Sequence, residues 1–276
     1  MTQLRQAMIT AMQLRNFSDH TQRAYINAMK QLAIYYQRSP ENITEQEAQH
    51  YILHLAHERN LTWGTCNVAV SSIRFFYKAV LKKDKDNLYL PHAKIQQCLP
   101  DILTQDEIKL LFNVTKNPKH HAIFMTIYSA GLRVSEVTHL TIDDIDSRSN
   151  VMCIRQGKGK KDRYAPLSPR LLTELRQYWK IQRTAHWLFP GRETTTPITA
   201  RAIADAFLKA KIKANLTKKV SVHSLRHSFA THLLEGGTDI VSIKHMLGHS
   251  SINTTLRYIR MSKQLVSGIA SPLDNL

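Results

Sequence analysis

The first part of the chain repeats apolar residues with the period of an α-helix. Tyr25, Met29 and Leu32 fall on one helix face, because residues three and four apart are neighbours on a helix surface. Ser18 stands just before this stripe, and a serine side chain can accept hydrogen bonds from the unpaired N–H groups of a first turn. The pattern therefore predicts a helix that begins near Asp19.

Similar signals predict further helices in the same region. One spans about Leu4 to Leu14, and Thr62 precedes another apolar stripe. Thr44 and Glu47 have the spacing of a capping box, in which each side chain bonds the backbone N–H of the other residue. Residues 1–82 are thus predicted to form a compact, all-helical domain.

The helical pattern stops at a segment rich in lysine, aspartate and proline. Residues 82–87 carry charges without apolar periodicity, and Pro91 and Pro100 follow. Irregular segments of this length are uncommon inside a compact domain. We therefore predict a linker over residues 83–100.

A second domain is predicted over residues 101–276. Thr104 and Glu107 form another capping box, and Gly131 ends a later helix, since glycine adopts the left-handed conformation that closes many helices. Two short strands are predicted around a Gly-Lys-Gly turn, at Val151–Ile154 and Arg163–Ala165. The fold class is mostly α with a small antiparallel β-sheet.

The amino-acid composition indicates which class of partner the protein binds. The chain has 38 Lys and Arg against 21 Asp and Glu, a formal net charge of +17. A folded protein this basic usually binds a polyanion, with nucleic acid as the leading candidate; the alternative is a merely basic surface. We read no signal peptide and no membrane span. Three isolated cysteines favour a reducing, cytoplasmic compartment over a disulfide framework.

The last third of the chain carries the candidate chemistry. His223, Arg226 and His249 precede Tyr258, and Arg133 lies far upstream. Arginines bind non-bridging phosphate oxygens in a planar fork, and histidines move protons near neutral pH. A tyrosine hydroxyl can attack phosphorus and hold it covalently. This set predicts a phosphodiester site.

Other residues can support this site. Glu136 lies three residues after Arg133, where it can orient the guanidinium, although an ordinary surface ion pair is the alternative. Lys158, between two glycines, can reach a DNA groove and protonate a leaving oxygen, or it is a solvated turn lysine. Further candidates for DNA contacts are Lys160, Lys161, Arg163, Arg74 and Lys78.

Two pairs of histidines also have a spacing found in zinc sites. His223 and His227 are four apart, and so are His245 and His249. A His-Glu-x-x-His motif is absent, however, and cysteines are not close to either pair. We predict no bound metal, and we interpret His227, which Phe229 follows, as a core histidine or one that supports the site.

In their order and spacing these motifs resemble the tyrosine site-specific recombinases of the phage-integrase and Xer type. The resemblance covers nearly the whole chain. It identifies Arg133 and Arg226 as phosphate-binding arginines, Lys158 as the hairpin lysine and Tyr258 as the nucleophile. It identifies His223 and His249 as the catalytic histidines, and we take His223 as the acceptor of the tyrosine proton. Ile259-Arg260 departs from the Thr-His that is common after the tyrosine.

The resemblance implies site-specific recombination of double-stranded DNA through a 3′-phosphotyrosyl intermediate, for integration, excision or resolution. It implies no cofactor, a dimer on each site and a homotetramer on two sites, with or without accessory DNA-bending proteins, near a bacterial nucleoid. A helical core-binding domain and a catalytic domain would form a two-domain clamp, and a tail over 259–276 would pack on a neighbour or on its own domain. The alternatives are a type IB topoisomerase-like enzyme and a catalytically idle DNA-binding protein.

Overall fold

The structure is a computed structural model that describes residues 3–82, 89–95, 100–155 and 162–261. The chain divides into two compact units, Met1–Gln97 and Cys98–Leu276. Within the described ranges, none of the helices combines the length and the apolar character that crossing a bilayer requires.

Unit 1 is helical, as the sequence predicted. Its helices are α1 (Gln3–Gln13), α2 (Asp19–Tyr36), α3 (Glu45–His57) and α4 (Trp63–Ala79). The predicted helix starts are confirmed: Ser18 accepts a hydrogen bond from the N–H of Thr21, and Thr44 forms a capping box with Glu47. The core of the unit includes Met8, Met12, Leu32, Ile73 and Phe76, each almost fully buried.

Residues 89–95, which we predicted as part of the linker, lie against unit 1. The amide of Asn67 donates to the carbonyl oxygen of Ala93 at 3.0 Å and accepts from its N–H at 2.9 Å. Leu90 is buried in the same core. This part of the segment is fixed because one side chain satisfies both backbone groups of Ala93. The rest of the predicted linker, 83–88 and 96–99, lies outside the described residues.

Unit 2 surrounds a small sheet with helices. Its elements are α5 (Gln105–Val114), α6 (Pro118–Ala130), α7 (Val134–Thr138), β1 (Ile145–Asp146), β2 (Val151–Ile154), β3 (Arg163–Pro166), α8 (Pro169–Gln182), α9 (Ala200–Lys213), α10 (Val222–Glu235), α11 (Ile240–Leu247) and α12 (Ile252–Met261). The strands are antiparallel in the order β1-β2-β3. The small antiparallel sheet is confirmed, and β1 is an addition to it.

Helix α6 runs through the core and delivers the chain to the site. Ile123, Phe124 and Ile127 along it are fully buried. The helix ends at Gly131, whose φ of 61° is left-handed. A side chain there would also meet Phe229, since a Cβ atom would lie 2.4 Å from the Cδ1 atom of that ring. Glycine thus lets α6 turn tightly into α7 while α10 packs against the turn.

The start of unit 2 is tied to residues more than 100 positions later. The backbone N–H of Leu103 donates to the hydroxyl of Ser228 at 3.0 Å. The ammonium group of Lys218 donates to the carbonyl oxygen of Ile102 at 2.9 Å and to Glu107 at 2.6 Å. These bonds join the start of α5 to the region around α10.

Candidate active site

The start of α7, the helix α10, the turn after α11 and the helix α12 meet at a pocket of about 430 Å³. Its lining includes the predicted residues Arg133, His223, Arg226, His249 and Tyr258. These residues come from positions 133 to 258 of the sequence, and all of them belong to unit 2. The remaining predicted catalytic residue, Lys158, lies outside the described residues, as do Lys160 and Lys161.

Glu136 is the charged centre behind this pocket. Its side chain is only 4% exposed. One oxygen accepts from Nη1 of Arg133 at 2.7 Å and from Nη1 of Arg163 at 2.9 Å. The other accepts from the backbone N–H of Arg133 at 2.7 Å and from Nη2 of Arg163 at 2.9 Å. Glu136 thus binds both the guanidinium and the backbone of Arg133, and its role in orienting Arg133 for the reaction stays a prediction.

The pKa of Glu136 lies below its ordinary value. Burial alone would raise this pKa, but the hydrogen bonds and charges of Arg163 and Arg133 outweigh the burial. Arg226 adds a further positive charge, with its Nη1 at 3.7 Å from the carboxylate. Glu136 is therefore an anion at neutral pH and holds three guanidinium groups around itself.

Arg163, which we predicted to contact DNA, has a side chain that is mostly buried beside Glu136. Its side chain is 11% exposed, and its guanidinium forms a two-pronged pair with Glu136. Its Nε also donates to the carbonyl oxygen of Met246 at 2.9 Å. This arrangement arises because β3 packs beside α11, so the side chain turns toward Glu136. Its position suits support of the turn after α11.

Arg226 is the most enclosed charge of the site, with 1% of its surface exposed. Its Nη1 donates to the carbonyl oxygen of Gly131, and its Nη2 donates to that of Leu247 at 2.7 Å. Burial first, and then the charge of Arg133, lower the pKa of Arg226 to about 10. The guanidinium is still charged at neutral pH, and two carbonyl groups from helix ends fix its plane.

His249 lies between Arg226 and α12. Its Nε2 is 3.1 Å from Nη2 of Arg226, and its Nδ1 is 2.9 Å from the hydroxyl of Thr255. Burial and the nearby charges of Arg226, Arg133 and Arg163 lower its pKa to about 3. The ring is therefore neutral, and it accepts from Arg226 through Nε2 while its Nδ1–H donates to Thr255.

Tyr258 faces the pocket from α12 with 2% of its surface exposed. Gly248 ends α11 with a left-handed φ of 63°, and the chain then turns into α12. This turn returns Tyr258 to the pocket, as the sequence predicted. Its ring stacks on that of His249, with the centroids 6.2 Å apart. Burial raises the pKa of Tyr258, although the charges of Arg226 and Arg133 act in the opposite direction.

The hydroxyl of Tyr258 contacts His227, at 3.3 Å from its Nδ1. His223, which we took as the proton acceptor, instead packs edge to face on His227, with the centroids 4.5 Å apart. His227, which the sequence indicates as a core histidine or one that supports the site, therefore lies directly beside the Tyr258 hydroxyl. Its position one helical turn after His223 is the signal that could have identified it.

Two of the predicted DNA contacts lie in unit 1. Arg74 and Lys78 are exposed on α4, one helical turn apart. Nη1 of Arg74 is 3.3 Å from Nδ1 of His92, in the segment packed on this helix. In the described part of the chain, His, Cys, Asp and Glu side chains do not come together in any group of three or more that could hold a metal ion.

Comparisons with known proteins give one consistent result. Residues 101–264 match the model of the phage integrase family, and residues 4–87 match that of the phage integrase N-terminal SAM-like domain. The integrase/recombinase y4qK of Sinorhizobium fredii is 42% identical over the whole chain and 90% of its own length.

Solved structures agree with these matches. A crystal structure of XerA recombinase is 27% identical, with a TM-score of 0.57 over 96% of this chain and 95% of that one. The Tn1549 transposon integrase, solved with transposon right-end DNA, has the same fold. Its TM-score is 0.72 at 18% identity, over 99% of this chain and 96% of that one.

Proposed function

The chain belongs to the phage integrase family and is a site-specific DNA recombinase, and we propose that Tyr258 is its nucleophile. The Tyr258 oxygen attacks the scissile phosphorus, a bond forms between them, and the bond from phosphorus to the 5′ oxygen breaks. The products are a 3′-phosphotyrosyl link and a free 5′-hydroxyl. A 5′-hydroxyl of the partner duplex then attacks this link and releases Tyr258.

Arg133 and Arg226 bind the non-bridging oxygens of this phosphate. His249 donates to one of them from Nε2 after its ring proton moves there from Nδ1, which then accepts from the Thr255 hydroxyl. The observation that carries the proposal is that the buried Arg226, His249 and the Tyr258 hydroxyl line one pocket with Arg133. Donors held in place before the reaction contribute most where charge develops, at about 3–4 kcal/mol for each. Glu136 keeps both Arg133 and Arg226 in position, and Arg163 in turn holds Glu136.

Lys158 protonates the leaving 5′ oxygen in this proposal, and Lys160 and Lys161 contact the backbone phosphates near it. Arg74 and Lys78 also contact backbone phosphates. They belong to the core-binding domain, residues 1–82, and residues 101–276 form the catalytic domain. The net charge of +17 supports a polyanionic partner of this kind, because each neutralised phosphate releases counterions.

We propose double-stranded DNA as the substrate, with a dimer on each site and a homotetramer on two sites. Residues 259–276 would contact a neighbouring subunit in this assembly. The protein would be encoded by a mobile element and would act at the nucleoid in the bacterial cytoplasm. DNA-bending proteins would or would not take part. A topoisomerase-like relaxing enzyme is less favoured, since the relatives are named as integrases and recombinases.

Covalent trapping tests the nucleophile. The protein is mixed with nicked duplexes from the DNA flanking its own gene, denatured in SDS, and the attached DNA is sequenced. Wild type should form an adduct, and Tyr258→Phe should bind the same duplex without forming one. Tyr128→Phe is the matched control, because Tyr128 also bonds a histidine of α10, at 2.9 Å from Nδ1 of His232, but does not line the pocket.

Two outcomes would overturn this assignment. An adduct that persists in Tyr258→Phe would place the nucleophile elsewhere. Tight binding of these duplexes by wild type without any adduct would indicate the idle DNA-binding protein.

A further inference from the structure

His227 has a place in the pocket that the proposed roles leave unexplained. Its Nδ1 lies 3.3 Å from the Tyr258 hydroxyl, and their rings are 5.7 Å apart. This is the long end of hydrogen-bond reach, where catalytic contacts often lie before substrate binds. His227 is therefore a neighbour of the atom that would attack phosphorus.

His223, by contrast, lies one helical turn before His227 and is exposed to solvent. It packs edge to face on the ring of His227, whereas the Tyr258 hydroxyl has its histidine contact with His227. Arg226 and His249 already have other partners, since the guanidinium donates to two carbonyl oxygens and Nδ1 of His249 bonds to the Thr255 hydroxyl. Among the histidines of this pocket, His227 has the geometry to receive a proton from Tyr258.

We propose that His227 is a further catalytic residue, the group that accepts the Tyr258 proton during cleavage; this rests on the proposed function of Tyr258. As the bond from the tyrosine oxygen to phosphorus forms, the O–H bond breaks and the proton moves to Nδ1 of His227. The bond from phosphorus to the 5′ oxygen breaks in the same step, and that oxygen takes its proton from a different group. In rejoining, His227 returns the proton to the departing tyrosine oxygen.

The state of the ring fits this role. Burial, together with the charges of His223, Arg226 and Arg257, lowers the pKa of His227 to about 4. The imidazole is thus neutral at pH 7 and has a free lone pair on one nitrogen. A weak base is sufficient here, because the phenol becomes strongly acidic as its oxygen bonds to phosphorus. The nearby arginine charges also oppose the gain of a proton until the anionic phosphate is bound.

Two substitutions separate proton transfer from positioning. His227→Asn keeps a polar group near the place of Nδ1 that can accept a hydrogen bond but cannot hold the proton, whereas His227→Ala removes both. We measure the single-turnover rate of adduct formation on a nicked duplex, at DNA concentrations that saturate each variant. Both variants should form the Tyr258 adduct about 100-fold or more slowly than wild type. Recovery by His227→Asn to within about threefold would reduce His227 to a positioning residue and overturn the proposal.

His232→Asn is the matched control for these variants. It removes another partly buried histidine of α10 whose Nδ1 bonds a tyrosine hydroxyl, at a place outside the pocket lining. Its adduct rate should equal that of wild type. Thermal unfolding and DNA binding of all variants show whether each is folded, and a rate near that of wild type in His227→Ala would also refute the proposal.

A duplex with sulfur in place of the 5′ bridging oxygen shows on which side of the reaction His227 acts. A thiolate leaves without a proton, so this substrate bypasses the acid but still requires the tyrosine proton to be removed. The His227 variants should stay slow on it, while Lys158→Ala should regain most of its rate. If the His227 variants recovered their rate on this substrate, His227 would be acting on the leaving 5′ oxygen and not on Tyr258, which would overturn the proposal. Failure of the Tyr258 assignment is recognised separately, because the wild-type adduct would then survive in Tyr258→Phe.

Discussion

Replacing Glu136 by glutamine tests whether one carboxylate holds the arginines of the site. The substitution keeps the size and shape of the side chain but removes its charge. Four N–H groups donate to the carboxylate, two from Arg133 and two from Arg163. Glutamine offers one oxygen in place of two, and its NH₂ group would face guanidinium donors. At least two of the four hydrogen bonds are therefore lost.

The expected loss in the free energy of unfolding follows from these bonds. Hydrogen bonds to charged groups contribute about 1.5–3 kcal/mol each, so the loss of two corresponds to about 3–6 kcal/mol. Measurements on other buried ion pairs give a similar range, since removing one partner costs about 3–5 kcal/mol. The pair is buried here, with side-chain exposures of 4% for Glu136 and 11% for Arg163. We expect Glu136→Gln to lose about 3–5 kcal/mol.

Urea unfolding followed by tryptophan fluorescence measures this loss. Trp63 lies in unit 1, whereas Trp179 and Trp187 lie in unit 2, so the Trp63→Phe background reports on unit 2 alone. Asp106→Asn is the control, because Asp106 forms an exposed pair with Lys109 at the same sequence spacing of three and should not shift the midpoint. A loss below about 1 kcal/mol in Glu136→Gln, as for a surface pair, would refute the central role of Glu136.

The remaining predictions concern packing, pH and binding. Gly131→Ala should destabilise unit 2 by about 2–4 kcal/mol in the same urea assay, from its left-handed backbone and the clash with Phe229; an unchanged midpoint would contradict the packing at this turn. Because the pKa of Glu136 is lowered in the folded state, its ionised form stabilises the fold fully above about pH 4.5. This stabilisation is lost as the pH falls through the lowered pKa. Glu136→Gln should therefore lose less free energy of unfolding than wild type between pH 7 and 3. Arg226→Ala should reduce adduct formation by much more than DNA affinity, measured by trapping and by fluorescence anisotropy; equal losses would make Arg226 a binding residue only.

Local sequence signals predicted most of the helices correctly. The capping boxes at Thr44 and Thr104 are present as expected, since each depends on residues only three apart. Gly131 and Gly248 close helices for the same local reason. The two-residue strand β1 was missed because two residues are too few to establish an alternating pattern.

The inner side of the site could not be predicted because its contacts join distant parts of the chain. Arg226 bonds to the carbonyl oxygen of Gly131, a residue 95 positions earlier, and the sequence does not indicate which carbonyl groups a fold leaves free. Arg163 follows a basic run and was therefore assigned to DNA, yet its strand packs beside α11 and turns the side chain toward Glu136. His227 was interpreted from the Phe229 that follows it, and the sequence does not show that α12 brings the Tyr258 hydroxyl to 3.3 Å from its Nδ1.

The ties between α5 and the region around α10 also govern the order in which the protein can fold during its synthesis. Leu103 finds its hydroxyl partner 125 residues later, and Lys218 reaches back 111 residues to Glu107. A ribosome adds about 5–20 residues each second, so α5 waits roughly 6–25 s for these partners to appear. The helices of unit 1 are complete long before that and can fold while unit 2 is still being made. The nascent chain must therefore keep the apolar face of α5 from aggregating until α9, which packs against α5, has left the ribosome.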